Sequence, residues 1–326
     1  MTTTDPRTHC PNPDPRRRVL VLGSTGLMGR EVLAALLRAG ATPRVLVRDP
    51  ARLATTEGVD VRVGDLRDET SLRAALDGVA AVFHISPHEA DEVELTRGVV
   101  TLCEELGVRI VFAGVHVVAR TALSGWLQRR VYGRLFPRYR GKFALARLVE
   151  RSHTDPVLLV PSTFMQNDEV FADGIREGVY AHPASPKGLN RFDLRDLGEV
   201  AAGILLDADF PSGSYGLVGP RELTGPEFAE AWAQALDRPV RYAGDDDSAL
   251  DAALRRSLSG HRLADWSASM RLLRGYPVKT TRRELEETTM LLGRAPTDYE
   301  TYVRDTVAGW AVPGCGSVGG MPVAGV

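Results

Sequence analysis

Apolar positions along the first half of the chain alternate between short β-type runs and helical stripes. Val19–Gly23 is one run, and Val32, Leu33, Leu36 and Leu37 follow at helical spacing up to Gly40. Arg44–Arg48 and Val59–Val63 read as second and third strands. Asp68–Leu76 reads as a helix stopped at Gly78, and Ala80–Ile85 as a fourth strand. Leu95, Val99, Leu102 and Leu106 then recur every three or four residues, and Gly107 closes that helix. Arg109–Phe112 and Val157–Val160 are the fifth and sixth runs. Strands that alternate with helices in this way predict an α/β fold built on a doubly wound parallel sheet.

Beyond residue 190 the texture changes. A helix is expected over Leu197–Leu206, with Asp196 and Glu199 spaced as a capping box. Ser214–Val218 reads as a strand, and Thr224, Pro226 and Glu227 mark a helix start running to about Leu236. From Asp245 the pattern is mostly helical and less regular. The expected organisation is a sheet domain at 18–164 plus 191–219 and a smaller, mostly helical C-terminal substrate lobe at 165–190 plus 220–311. That lobe is expected over the C-terminal ends of the strands, where open α/β sheets bind ligands. Residues 1–17, rich in Pro, Thr and Asp, and 312–326, rich in Gly, read as flexible tails.

Composition narrows the function. The 326 residues carry 40 Lys+Arg against 42 Asp+Glu, a net charge of −2, so nucleic acid is an unlikely main partner. Cys10, Cys103 and Cys315 form neither a disulfide framework nor a metal site, and no metal is expected. No apolar run is long enough to span a bilayer, and the N-terminus lacks the apolar core of a secretory signal. A cytoplasmic location is expected.

The chemistry concentrates in VLVLGSTGLMG at 19–29. Gly23 permits a sharp turn after the strand, Gly26 lets backbone approach a pyrophosphate, and Gly29 lets the helix pack closely on the strand. The free N–H groups and positive end of the helix then face the phosphates. An ordinary tight βα turn is the alternative, but the flanking strand and amphipathic helix are the context that dinucleotide binding requires.

At this point the chain resembles the NmrA-like branch of the atypical short-chain dehydrogenase/reductases. The resemblance is carried by VLVLGSTGLMGREV, VLVRDPARL, GVDVRVGDLRDETSLRAALDGVAAVFHISP, LVPSTFMQN, FDLRDLGEVAAGIL, GSYGLVGPRELTGPEFAEAWAQALDRPV and LLGRAPTDYETYV, in this order across most of 19–305. It implies a Rossmann-type sheet and an NADP(H) cofactor. Gly23, Ser24, Thr25, Gly26, Leu27, Met28 and Gly29 would form the pyrophosphate turn. Arg48, at the end of the second strand, offers planar donors to a ribose 2′-phosphate, with Asp49 beside it as a complication; otherwise Arg48 is a solvated strand-end charge. Asp65 and Leu66 resemble the family's adenine contact, although Asp65 could simply cap the next helix. Ile85, Ser86 and Pro87 would pass the middle of the cofactor, and Pro161, Ser162, Thr163 and Phe164 the nicotinamide carboxamide.

The usual catalytic set of that superfamily, a Ser after strand five and Tyr-x-x-x-Lys on the next helix, is missing. Strand five runs into Ala113-Gly114-Val115-His116, and Tyr139 and Lys142 are one residue too close. Lys142 falls where NmrA-like reductases carry a Lys or His near the nicotinamide, as ribose anchor and proton donor; its other reading is an exposed helix lysine. A family-typical Glu is replaced by Ala146, and an Arg by Val160. His116 is a second candidate proton donor, or a loop residue bonded to backbone. His84 reads as structural.

The Arg-rich, acid-free stretch 120–140 carries Trp126, Tyr132, Phe136 and Tyr139. It reads as a lid for an anionic or aromatic substrate, as a homodimer or protein-partner face, or as a solvated helix. The resulting expectation is an NADPH-dependent reductase of a small aromatic, quinone-like or enone-like molecule. A non-catalytic NADP(H) redox sensor and a non-redox isomerase or cyclase are the alternatives.

Overall fold

The computed structural model describes residues 9–86, 91–114 and 140–310. They group into two compact units. The first holds 9–161, 195–217 and 287–294, and the second holds 162–194, 218–286 and 295–310.

The first unit is built on β1 (Val19–Leu22), β2 (Arg44–Val47), β3 (Asp60–Val63), β4 (Ala81–Ile85), β5 (Arg109–Ala113), β6 (Val157–Pro161) and a seventh strand, Gly213–Leu217. All six pairings are parallel. The order is seventh strand, β6, β5, β4, β1, β2, β3. This is the doubly wound parallel sheet that the alternating pattern predicts and the Rossmann-type sheet that the family resemblance implies, and its order reverses between β1 and β4, where such sheets open a ligand crevice. Because side chains alternate along a strand, Leu20, Leu22, Leu46, Val82, Ile110, Phe112 and Leu158 share one face. They pack in one core with Leu72, Ala75 and Leu76 of α2 (Glu69–Leu76), Val99, Leu102 and Cys103 of α3 (Glu92–Leu106), and Leu145, Ala146 and Val149 of α4 (Arg140–Glu150). Ala146 is fully buried there, so a Glu would have no room for its charge. α1 (Leu27–Arg38) buries Val32, Leu33 and Leu36. The helix Leu194–Leu206 approaches α1 so closely that a Cβ on Gly198 would lie 2.5 Å from the Glu31 carbonyl oxygen.

Two expectations change. The helix expected from Leu197 begins at Leu194, so Asp196 and Glu199 are not its capping box. One turn apart on one face, they bind a cation instead: Arg294 Nη2 donates to Asp196 at 2.8 Å and to Glu199 at 2.6 Å. The tail expected over 1–17 is anchored where it is described. His9 Nε2 lies 2.7 Å from Asp207 Oδ2, the Asn12 N–H donates to the same oxygen at 2.9 Å, and the Asp14 N–H donates to the Leu206 carbonyl at 3.0 Å. Composition alone misses a tail that one carboxylate holds down.

The second unit is mostly helical, with helices Gly225–Leu236, Asp247–Ser257, Gly260–Gly275 and Tyr299–Trp310 and small sheets that include Leu189–Phe192. Thr224 and Glu227 form the capping box of the first of these helices, as the sequence predicts. Its core surrounds a buried ion pair. Arg191 Nη1 donates to Asp168 Oδ1 at 2.8 Å, and the Tyr180 hydroxyl donates to the same oxygen at 3.0 Å. The Tyr299 hydroxyl donates to Oδ2, and Trp232 Nε1 donates to Tyr299 at 2.7 Å. The guanidinium lies 4.2 Å over the Phe228 ring. Burial by itself would lower the Arg191 pKa, but Asp168 and the tyrosine oxygens leave it raised above the ordinary value. Asp168 so surrounded is a permanent part of this core, and truncating one partner would strand the other charge.

Two buried histidines make stability depend on pH. Burial holds His84 at about 4, with Nε2 3.1 Å from Thr96 Oγ1. Burial, and then the Arg191 charge, push His182 well below its ordinary value. Both are neutral in the folded protein and protonate first in the unfolded one, so their contribution is full above about pH 6.5 and is lost as pH falls below it, for His84 down to about 4. His84 alone should remove about 2 kcal/mol by pH 5. Urea midpoints should therefore fall between pH 7 and 5, and His84→Gln, which keeps a partner for Thr96, should flatten that dependence.

Candidate functional site

The glycine turn joins β1 to α1 with no spare room. Gly23 has φ +72°, and a Cβ there would lie 3.0 Å from Ile85 Cγ2, so the β1 turn and the end of β4 touch. The Gly26 N–H donates to the Gly23 carbonyl at 2.9 Å. A Cβ on Gly29 would sit 2.1 Å from that same oxygen, a distance at which the backbone itself must move. The helix can start this close to the strand only with glycine at 29.

The consequence is a helix end prepared for an anion. Gly26 is the N-cap of α1 and supplies no side-chain acceptor, and no acid lies in the first turn. Its leading N–H groups lack intrahelical acceptors and carry the positive end of the helix dipole. α2 contrasts with it: Asp68 accepts from the Thr70 and Ser71 N–H groups and closes that helix end with a carboxylate. Ser24 is buried with its Oγ unpartnered among the described residues, a hydroxyl that fits a ligand oxygen. Thr25 is half-buried. The side chains of Leu27 and Met28 are core residues, which leaves their backbone N–H groups for the turn.

The other strand ends of the first unit lie along the same edge, because the sheet is parallel. Arg48, just past β2, is exposed. Its neighbour Asp49 is engaged locally, accepting from the Ala51 N–H at 3.0 Å to cap the turn Pro50–Arg52. Asp65 is half-buried after β3 and accepts from the Arg67 N–H at 3.0 Å; Asp68, and not Asp65, caps α2. Leu66 packs on the core beside it. Arg67 in turn makes paired bonds of 3.1 Å to both oxygens of Asp91, the residue before α3.

The first turn of α3 then brings two of the sequence-predicted residues together. Ser86, buried at the end of β4, donates to Glu92 Oε2 at 2.9 Å, and Lys142 Nζ donates to the same oxygen at 2.6 Å. The Lys142 and Glu92 side chains retain 16% and 15% of their exposure, so the pair is neither solvated nor sealed. Lys142 is therefore not a free helix lysine. It is tied through Glu92 to Ser86, next in the chain to Ile85, which touches the glycine turn.

Pro161 ends β6 half-buried in the first unit. In the second unit, Ser162 Oγ donates to Asn190 Oδ1 at 2.8 Å, Thr163 Oγ1 donates to the Asn190 carbonyl at 2.6 Å, and Phe164 pairs in register with Phe192. Pro87, His116 and residues 120–139 lie outside the described residues.

Glu92 was not singled out by sequence reasoning, because no motif contains it and its partners are 6 and 50 residues away. One signal was available for the lysine. The chain has three lysines, Lys142, Lys187 and Lys279, among its 40 Lys+Arg, and the latter two are exposed.

Comparison with known proteins bears on the family and the fold. The profile of the NmrA-like family matches residues 15–252. An NAD(P)H azoreductase from Xenophilus azovorans is 33% identical over 227 residues, covering 69% of this chain and 76% of that protein. The (4-alkanoyl-5-oxo-2,5-dihydrofuran-3-yl)methyl phosphate reductase of Streptomyces griseus is 30% identical over 239 residues, covering 72% and 78%. The fold is that of the Citrobacter sp. triphenylmethane reductase complexed with NADP(H): TM-score 0.71, 19% identity, 89% of this chain and 99% of that one.

The two glycines should respond differently to a methyl group. Gly29→Ala must displace the Gly23 carbonyl and should cost about 1–3 kcal/mol or more in urea denaturation. Gly26→Ala, at φ −92° and with 3.3 Å to the same oxygen, should stay within about 1 kcal/mol of wild type.

Proposed function

The chain belongs to the NmrA-like family, and from that membership we propose that it is an NADP(H)-dependent reductase of conjugated, electron-poor small molecules of the azo, quinone or enone type. The observation that carries this reading is the linkage of Lys142, through Glu92 and Ser86, to the strand end that touches the glycine turn. The residues present suit a dinucleotide: an N-cap without a side chain, a buried unpartnered hydroxyl at Ser24 and a helix dipole for the pyrophosphate, with Arg48 for a 2′-phosphate. The relatives' names, an azoreductase, an oxo-dihydrofuran phosphate reductase and a triphenylmethane reductase, have in common the reduction of an extended conjugated centre.

Bound nicotinamide supplies hydride, and the residues of this chain supply the rest. In this reading Gly23–Gly29 would hold the pyrophosphate through backbone N–H groups, Asp65 and Leu66 would take the adenine, Ile85, Ser86 and Pro87 the middle of the cofactor, and Pro161, Ser162, Thr163 and Phe164 the carboxamide. Each reduction consumes one proton beside the hydride, and Lys142 holds it. One of the three N–H donors of its ammonium is spent on Glu92, which leaves others for a ribose hydroxyl and for the substrate heteroatom. His116 is the rival donor.

Stopped-flow recording of NADPH absorbance over a panel of azo dyes, quinones and enones tests the reading. Turnover is expected with at least one class. Lys142→Met, a good helix former of similar length, should lower it by roughly ten- to ten-thousandfold while NADPH binding weakens far less. Tight NADPH binding with no turnover across the panel would overturn the reductase reading in favour of a redox sensor. Turnover unchanged in Lys142→Met would move the proton to His116.

Cofactor preference rests on Arg48. With Asp49 committed to its own turn, Arg48 is the charge at the β2 end that can meet a 2′-phosphate. NADPH should bind more tightly than NADH by fluorescence titration, and Arg48→Ala should lose most of a preference of roughly ten- to a hundredfold. Equal wild-type affinities would show that Arg48 does not read the phosphate.

A further inference from the structure

We propose that Glu92 is a positioning residue of this site: its Oε2 gathers Ser86 Oγ and Lys142 Nζ and thereby fixes where the remaining N–H groups of the Lys142 ammonium point. This rests on the reading that Lys142 faces the cofactor and substrate.

A lysine side chain has four rotatable bonds, and on a helix surface its ammonium samples many positions. Lys142 is held on one. A single carboxylate oxygen receives two donors, at 2.9 Å from the strand end and 2.6 Å from the helix, both charge-assisted. The carboxylate is fixed in turn by its backbone. Asp91, the preceding residue, is clamped by the Arg67 guanidinium through bonds of 3.1 Å to each oxygen, and Arg67 follows Asp65 at the end of β3. The clamp therefore runs from the β3 end through the start of α3 to the β4 end and across to α4. The residue before the lysine is glycine, and a Cβ there would be 3.4 Å from Glu92 Oε1, so the carboxylate lies directly against the α4 backbone at this point.

A plain α3–α4 tie would predict something else. It would use either oxygen, would not recruit Ser86 from the strand end, and would gain nothing from a lysine in a chain that otherwise relies on arginine. Arginine would bridge two helices with more hydrogen bonds, but it holds its proton too tightly to give it up. The arrangement suits a cation that must be both oriented and able to transfer a proton.

The lysine count makes the test direct. Protein labelled with lysine ε-¹⁵N carries three side-chain signals, and the two exposed ammonium groups exchange with water too fast to be seen at neutral pH. Wild type should show one protected ammonium peak, absent in Lys142→Met and lost in Glu92→Ala. With the best dye or quinone, Glu92→Ala should lower kcat at least tenfold with less than a threefold change in substrate KM. The affinity for NADPH should weaken by the same factor as in Lys142→Met, and the double variant should be no worse than Lys142→Met alone. Glu92→Gln keeps an accepting oxygen in place and should return turnover to within about threefold of wild type. If the ammonium peak disappears in Glu92→Ala but kcat stays within twofold while Lys142→Met is impaired, the pair is structural and the proposal is overturned. If wild type turns over no substrate, the reductase reading fails separately, and NADPH affinity decides: matched weakening in both single variants supports positioning, and affinity unchanged in Glu92→Ala overturns it.

Discussion

The first unit depends on one close approach, between Gly29 and the carbonyl of Gly23. A side chain at 29 would begin 2.1 Å from that oxygen, so the helix can follow the strand with this short a turn only because nothing is there. Everything useful about the strand edge follows from that contact. It brings the uncapped start of α1 to the point where the sheet order reverses. It leaves Ser24 buried with a hydroxyl that has no partner among the described residues, and it sets Gly23 against Ile85, which places the end of β4 beside the turn. Ser86 comes next, and through Glu92 the lysine of α4 is drawn to the same edge. A steric constraint at one residue thus becomes an electrostatic arrangement spread over four elements.

Much of this is legible in sequence because it is local or periodic. The strands were placed to within a residue or two because a parallel sheet covered on both faces demands continuous apolar runs, and its helices demand a stripe. Gly107 as a left-handed helix end and Thr224 with Glu227 as a capping box were equally readable, since each is a short motif with one physical meaning. Asp196 and Glu199 have the spacing of a capping box too, yet Arg294, nearly a hundred residues away, takes both carboxylates. Spacing cannot reveal a distant partner. The same reason hid Glu92, which sits outside every motif and accepts from Ser86 and Lys142, and it hid Asp207, whose carboxylate holds His9 and Asn12.

The second unit uses charge differently. Asp168 and Arg191 each lie one residue outside the segments LVPSTFMQN and FDLRDLGEVAAGIL that carry the family resemblance, and sequence reading singled out neither. There the carboxylate takes the guanidinium and two tyrosine hydroxyls, and the cation also stacks on Phe228. The carboxylate is fully engaged, whereas the buried Arg191 Nε has no hydrogen-bond partner among the described residues. Replacing the pair by apolar residues could be neutral for stability, whereas removing one member would not be.

The contrast between the two charged groups separates structure from chemistry on physical grounds. The Arg191 charge is permanent, almost fully buried and engaged by a carboxylate, a histidine nitrogen and two aromatic rings, and its Nε, unpartnered among the described residues, is itself buried from solvent. Lys142 is partly open to solvent and, among the described residues, is held by one carboxylate oxygen. Burial and hydrogen-bond strength alone would rank Arg191 as the more remarkable site. Partial solvent exposure on a cation tied to the strand end ranks Lys142 first, and that criterion agrees with where a parallel sheet opens its crevice.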